Sequence, residues 1–333
     1  MSISGILRPF LNLQYHWNQP NGSCLKIQPL STHSFLDKPD AILNRLNSIL
    51  KVLLIFLMFV IDVNASSIGV YKFNDWDGPE INVFYAHPEV LNDKTRLVIV
   101  MHGRKRNAEQ YRNQWIDNAK EKNLAIIVPE FNNVNFPEVY NYNYGSINPN
   151  GKSSSIGLNL FSLIKTLVEN HINLMRIDTE KWGMYGHGAG GHFVHRYVLY
   201  QPRADFRFAI ASNLGWYLNI NDKEWPFGLK NSGINESDLR MALKKNFLIL
   251  LGESDVSRKP NTAYAKENFD HISYQGEHRL ARGKSFFKNA QNKATELDII
   301  MNWDLMVVPT KDSHGNTKQM VPYAADILRE KLK

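Results

Sequence analysis

The stretch from Trp182 to Arg196 has the local pattern of a catalytic turn between a strand and a helix. It reads Trp-Gly-Met-Tyr-Gly-His-Gly-Ala-Gly-Gly-His-Phe-Val-His-Arg, so a short strand-like run enters a glycine cluster that is followed by a helix-forming run. In the pattern G-x-S-x-G, such a strained turn holds a nucleophilic serine. The middle position here is Gly188, which carries no hydroxyl. The pattern therefore predicts the backbone of a nucleophile turn without its nucleophile.

Two later residues, Asp255 and His314, are candidates for an acid–base pair. Asp255 follows the predicted strand Phe247–Leu251, and His314 follows the predicted strand Trp303–Val308. Open α/β sheets bind their ligands at the carboxyl ends of the strands, so both side chains are expected to lie near Gly188. His314 would then act as general base, and Asp255 would orient its ring. Either residue alone is more commonly a loop or cap residue; their joint order along the chain favours a catalytic site.

The remaining serines and histidines do not add a nucleophile or a metal ligand set. No second G-x-S-x-G occurs in the sequence, and the loop serines lack the turn. His187, His192 and His195 are spaced by five and three residues, and no carboxylate accompanies them at ligand spacing. Metal sites need such a convergent donor set. The sequence therefore implies neither a metal nor another cofactor.

From residue 66 onward, alternating strand and helix patterns predict a mostly parallel α/β sheet. Continuous apolar runs at Leu97–Met101 and Leu124–Pro129 are typical of strands that are buried on both faces. Ile68–Phe73 and Ile81–Tyr85 flank a turn cluster and predict an antiparallel hairpin at the sheet edge. The other predicted strands are Trp182–Tyr185 and Phe206–Ser212, and the predicted helices are Asn107–Lys122, Gly157–Asn170, Ala189–Leu199, Glu236–Lys244, Lys284–Glu296 and Thr317–Leu332. No proline- or serine-rich linker interrupts residues 66–333, which predicts a single domain.

Residues 1–65 form a leader with the layout of a secretory signal peptide. The apolar run Val52–Ile61 follows basic residues and precedes the small-residue pattern Val63-Asn64-Ala65. This run is shorter than the about twenty residues that span a membrane, so secretion or a periplasmic location is expected. An uncleaved membrane anchor over residues 49–63 and a buried helix are the alternatives. The only cysteine, Cys24, lies in the leader, so the mature chain would contain neither a disulfide nor a cysteine nucleophile.

Composition limits the possible partners. The chain has 333 residues, of which 43% are hydrophobic, and it can bury a full core. Its net charge of +7 is spread among both signs without a basic stripe, which argues against a nucleic-acid partner. Contact with a membrane is expected only through the leader, if the leader is not cleaved.

Further motifs around the turn connect the chain to a known family. They are the pair His102-Gly103, the turn with its Phe193-Val-His-Arg196 helix, and the runs Asn213-Leu-Gly-Trp-Tyr217, Trp225-Pro-Phe-Gly-Leu229, Gly252-Glu-Ser-Asp255 and Gln275-Gly-Glu-His-Arg-Leu-Ala-Arg-Gly283. With these motifs, Arg96 to Met320 resembles the α/β-hydrolase superfamily, in particular a secreted branch of esterase-like enzymes related to polyhydroxyalkanoate depolymerases and feruloyl esterases. The matching turn in that branch carries serine where this chain has Gly188.

The resemblance implies the α/β-hydrolase fold, with helices on both faces of the sheet, and assigns roles to residues. Asp255 would be the triad acid and His314 the triad base. The backbone N–H groups of Ala189, Gly103 and Arg104 would form the oxyanion hole, which requires only backbone geometry. The candidate pocket residues are His187, Trp216, Tyr217 and Tyr144.

Four functional hypotheses follow from Gly188. The chain is an exported hydrolase homologue that has lost acyl transfer and retains binding, or a weak hydrolase in which His314 activates water. Alternatively, Gly188 is a recent lesion in an ordinary serine esterase, or the chain is a non-catalytic binding module. The expected substrate or ligand is a small-molecule or polymer ester. Its identity would be determined by residues 131–155 and 219–235, which have no recognisable pattern.

Overall fold

The computed structural model describes residues 67–148, 158–177 and 181–333. The predicted signal peptide, its apolar run 52–61 and the alternative anchor over 49–63 all lie outside these residues. Within them, no helix combines the length and the apolar character that crossing a bilayer would require.

Eight strands form one sheet in the spatial order β1-β2-β4-β3-β5-β6-β7-β8. They are β1 (Ile68–Phe73), β2 (Ile81–Ala86), β3 (Arg96–Met101), β4 (Leu124–Pro129), β5 (Trp182–His187), β6 (Phe208–Ser212), β7 (Phe247–Gly252) and β8 (Trp303–Val308). β1 pairs antiparallel with β2, and β2 pairs antiparallel with β4. The other pairs are parallel. The predicted edge hairpin and the mostly parallel sheet are confirmed.

Helices cover both faces of the sheet. They are α1 (Ala108–Lys122), α2 (Leu160–Met175), α3 (Ala189–Tyr200), α4 (Glu236–Leu243), α5 (Ala263–Glu267), α6 (Phe269–Ser273), α7 (Arg279–Glu296) and α8 (Thr317–Lys331). One apolar core joins α1 and α8 to the sheet, for example through Trp115 and Leu328. The core on the opposite face includes Phe161 of α2, Phe193 of α3 and Phe286 of α7. The central strands lie between both layers, which explains their continuous apolar sequences.

Two helices differ from their predicted bounds by more than one residue, and a polar N-cap determines where each begins. α2 begins at Leu160, where the Asn159 side chain accepts from the Phe161 N–H at 3.0 Å, and it extends to Met175. α7 begins five residues before the predicted Lys284, because the His278 ring accepts from the Ala281 N–H at 3.2 Å. Histidine is not among the preferred N-cap residues, so sequence rules miss this start. The short helices α5 and α6 were also not predicted.

Candidate active site

The turn from β5 into α3 places Gly188 at the carboxyl end of the sheet. Gly188 has φ 59° and ψ −113°, a conformation that glycine adopts without the steric cost of a side chain. Its N–H donates to the Ser212 carbonyl, and its carbonyl accepts from the His192 N–H, both at 3.0 Å. Gly186 and Gly190 allow the strand and the helix to approach, since an added Cβ at either would overlap a backbone carbonyl. The turn thus has the strained shape of a nucleophile elbow.

Asp255 and His314 form a hydrogen-bonded pair beside this turn. The distance between His314 Nδ1 and Asp255 Oδ2 is 3.2 Å. Asp255 is fully buried, whereas the His314 side chain is 31% exposed. Burial acts to raise the pKa of Asp255, but the hydrogen bond and charge of His314, with the charge of Arg279, outweigh it and hold this pKa below its usual value. The carboxylate therefore stays ionised and can orient the imidazole.

The other nitrogen of His314 faces the nucleophile position. An ideal Cβ built on Gly188 would lie 3.4 Å from His314 Nε2 and 3.5 Å from Cε1, which is ordinary van der Waals contact. No other atom of the described chain, apart from the adjacent residues, lies within 4 Å of that Cβ. A Cβ therefore has room at this position, in a backbone conformation that residues with side chains rarely adopt.

The His187 ring packs against the His314 ring. The two rings stack with their centroids 5.3 Å apart and 23° between their planes. His187 Nε2 lies 2.9 Å from Asn316 Oδ1, and its Nδ1 lies 3.2 Å from Thr317 Oγ1. Burial, followed by the charge of His314, lowers the pKa of His187 to about 3, so its ring is neutral. The sequence-based interpretation made His187 a pocket residue, but the structure places it beneath His314.

The groups proposed for the oxyanion hole lie on both sides of Gly188. Ala189 is the first residue of α3, where the backbone N–H has no partner within the helix. Arg104 follows β3 and lines the same cavity as Ala189. Gly103 is buried behind Arg104, close to the Tyr111 hydroxyl. The oxyanion hole at Ala189, Gly103 and Arg104 stays a prediction, which needs their N–H groups to point to one oxygen in this cavity.

A cavity of about 260 Å³ opens over the turn. Gly188, Ala189, Arg104, His314 and Trp216 line it, so the structure brings these sequence-predicted residues together. Further lining residues were not predicted, namely Arg279, His192, Asn261, Thr262 and Tyr264. The run from Gln275 to Gly283 was noted for its resemblance and contains Arg279, but it carried no signal that this side chain reaches the cavity.

The predicted aromatic wall is reached only in part. Trp216 lines the cavity, and its indole N–H donates to the Tyr144 hydroxyl at 2.8 Å. Tyr144 itself is buried beneath, with the Arg196 guanidinium 4.0 Å from its ring centre. Tyr217 is also buried and stacks on Phe286 at 4.5 Å. Tyr144 and Tyr217 thus lie behind the cavity wall and do not line it.

The loop after β4 covers part of the cavity and is attached to the end of β3. The Phe131 N–H donates to His102 Nε2 at 3.0 Å, and the Tyr142 hydroxyl donates to the His102 carbonyl at 2.7 Å. Arg106 donates to the Phe131 carbonyl at 2.8 Å and to two further loop carbonyls. Residues 131–148 of this loop are irregular, as predicted, and residues 149–155 lie outside the described residues.

Comparison with solved structures finds the same fold in two bacterial hydrolases. A poly(aspartic acid) hydrolase from Sphingomonas sp. KT-1 is 31% identical, with a TM-score of 0.71, over 79% of this chain and 98% of that chain. A poly(3-hydroxybutyrate) depolymerase from Bordetella parapertussis is 28% identical, with a TM-score of 0.69, over 78% of this chain and 88% of that chain. No protein-family model matches the sequence, and a search of curated proteins finds no match.

Proposed function

The chain belongs to the α/β-hydrolase superfamily, and we propose that it is an exported, esterase-like homologue that binds its ligand but has lost the covalent step at Gly188. The observation that carries this proposal is the space at the nucleophile position. His314 Nε2 lies 3.4 Å from an ideal Cβ on Gly188, yet the residue supplies no hydroxyl. Export rests on the leader sequence alone.

The retained groups support a hydrolytic origin for the site. In a serine enzyme, the base takes the hydroxyl proton while the acid stabilises the resulting imidazolium. Asp255 and His314 are paired in the orientation that this transfer needs, with Nδ1 on the carboxylate and Nε2 toward residue 188. The N–H groups at the start of α3 would stabilise the oxyanion of a tetrahedral intermediate. Only the attacking oxygen is lacking.

The ligand class follows from the relatives and from the cavity. One neighbour is a poly(aspartic acid) hydrolase, and the other is a poly(3-hydroxybutyrate) depolymerase, whose substrate is a polyester. The cavity beside Gly188 combines aromatic walls with several polar side chains. We therefore propose a carboxylic ester, free or as a polymer unit, as the ligand.

A water molecule on His314 is the competing mechanism, because the open space at Gly188 would accommodate one. Enzymes that lack one triad member retain roughly 10³–10⁴-fold catalysis over the uncatalysed reaction. Such a rate would be far below that of an intact serine esterase. The natural protein is therefore expected to show little or no turnover.

Gly188→Ser tests the proposal, with Gly188→Ala as its matched control. Both variants add a Cβ in the same strained backbone, but only serine adds a nucleophile. With p-nitrophenyl butyrate, Gly188→Ser is expected to exceed the natural protein and Gly188→Ala by at least roughly 10²-fold in kcat/KM.

Adding His314→Ala to the serine variant should remove this gain, since the base is then missing. A folded serine variant with no more activity than the alanine variant would refute the proposed hydrolytic site. Activity of the natural protein that His314→Ala abolishes would instead support the water mechanism.

A further inference from the structure

A small niche opens beside the main cavity at the start of α7. It encloses about 30 Å³ and shares Trp216 and Asn261 with the main cavity. A space of that size holds about two water-sized groups. Four cationic side chains line the niche: Arg258, Lys259, Arg279 and Arg282. The niche is therefore a polar extension of the cavity over Gly188.

Arg279 and Arg282 of α7 line this niche, and each keeps one buried donor without an acceptor among the described residues. Arg279 and Arg282 are each only 7% exposed. Arg282 donates to the Gly276 carbonyl at 3.0 Å, and Arg279 donates to Asn261 Oδ1 at 3.1 Å. Within the described residues, the Nε–H of each guanidinium is buried without an acceptor. A ligand oxygen between the two guanidinium groups would be stabilised by both charges.

Positive charge exceeds negative charge around the niche. Glu277 pairs with Arg258 at 2.7 Å, and Asp255 approaches Arg279 at 3.5 Å while it also accepts from His314. In the described parts of the chain, Arg282 and Lys259 belong to no ion pair. An uncompensated buried guanidinium is unfavourable unless an anion neutralises it. The charge balance therefore favours an anionic group in the niche.

The helix contributes its dipole but few free amides. The positive end of α7 points to the niche, which favours a negative charge there. However, the Leu280 N–H already donates to the Asp255 carbonyl at 3.2 Å, and the Ala281 N–H donates to the His278 ring. The directional contacts to an anion would therefore come from the guanidinium groups.

We propose that the niche binds a carboxylate of the ligand between Arg279 and Arg282. This inference rests on the proposed function, since it specifies the ligand of the same cavity as a carboxylate-bearing ester. The two carboxylate oxygens match the planar donors of guanidinium groups. The uncharged ester group lies toward Gly188, and the carbon chain between the two groups packs against Trp216.

Binding of two matched probes to the natural full chain tests the inference. Monoethyl glutarate carries one carboxylate, whereas diethyl glutarate has the same chain length without charge. Isothermal titration calorimetry is expected to give a Kd for the monoester that is at least roughly tenfold lower than the Kd for the diester. Arg282→Gln should remove this preference by raising the Kd for the monoester toward that for the diester. Arg329→Gln, an exposed residue of α8, is the control that should keep the preference.

Lys259→Gln provides a second test if Arg282→Gln does not fold, because Lys259 is exposed. It should lower the ratio of the diester Kd to the monoester Kd roughly twofold to threefold, as expected for a surface charge. Equal binding of both probes, no binding of the monoester, or an unchanged preference in the niche variants would overturn the inference. Since these measurements need no turnover, they are independent of whether Gly188→Ser gains esterase activity.

Discussion

The turn at Gly188 and the loop at His314 meet in one site but are stabilised in different ways. All residues from Trp182 to Leu199 are buried, and Gly186 and Gly190 of the turn are enclosed by backbone atoms. The loop between β8 and α8 is more exposed, and an added Cβ at Gly315 would meet nothing within 4 Å. Hydrogen bonds hold this loop, among them Lys311 N–H to Gln319 at 2.7 Å and the Ser254 hydroxyl to the Thr310 carbonyl.

The packed turn and the exposed loop restrict their residues for different reasons, the first through packing and the second through chemistry. A packed turn keeps its backbone shape whether or not it carries a hydroxyl, because any larger residue at Gly186 or Gly190 would clash. The half-exposed His314 has no comparable packing requirement, yet it lies on Asp255 and faces residue 188. The Asp255–His314 pair is therefore stronger support for a remaining ligand-directed role than the turn itself.

Lowering the pH is expected to have the largest effect on the free energy of unfolding. It should act through histidines that are buried in the packed parts of the fold. Burial lowers the pKa of His102, His171 and His187 from 6.5 to about 3. The folded chain keeps them neutral while the unfolded chain protonates near 6.5, so stability is lost as pH falls from 6.5 toward 3. At pH 5 the loss is about 2 kcal/mol for each of these rings relative to pH 7.5, and His192 and His195, whose pKa burial also lowers well below 6.5, add to it. Urea unfolding at both pH values measures it.

His187→Gln should reduce this pH dependence by about 2 kcal/mol, since one of the buried neutral rings is removed. An unfolding free energy that does not change between pH 7.5 and pH 5 would show that these rings are accessible to protons in the folded state.

Gly190→Ala should have the next largest effect, because its Cβ would overlap the Met101 carbonyl in the centre of the fold. We expect a loss of about 3 kcal/mol in the free energy of unfolding. Gly315→Ala is the matched control in the open loop and should change stability by less than about 0.5 kcal/mol. Chemical denaturation of both variants compares the two regions directly. Equal effects would contradict the distinction between a packed turn and a bonded loop.

Asp255→Ala and His314→Ala should differ although they remove partners of one hydrogen bond. Asp255→Ala leaves the buried Arg279 without its carboxylate, which should cost about 2 kcal/mol. His314→Ala removes a partly exposed side chain and should cost about 0.5 kcal/mol or less. Thermal unfolding measures the difference. A larger loss for His314→Ala would mean that the loop is held by this ring and not by its backbone contacts.

Much of the fold was predictable, because buried strands and amphipathic helices leave regular apolar patterns. Leu124–Pro129 matched its predicted strand without change. The start of α7 was missed because a histidine caps it, and Tyr144 and Tyr217 were placed on the cavity wall because sequence does not give the direction of a side chain in a loop. The α/β-hydrolase fold expected from the motifs is confirmed by the two bacterial structures.

By itself, the sequence determined the glycine pattern of the turn, the missing hydroxyl at Gly188 and the order of the acid and the base. These features depend on residue type and on strand order along the chain, which local rules describe. Only the tertiary structure decided that His187 stacks beneath His314 and that Arg279 and Arg282 form a niche beside Trp216. Such contacts join segments that are distant in sequence, and packing of the helices on the sheet determines which side chains meet.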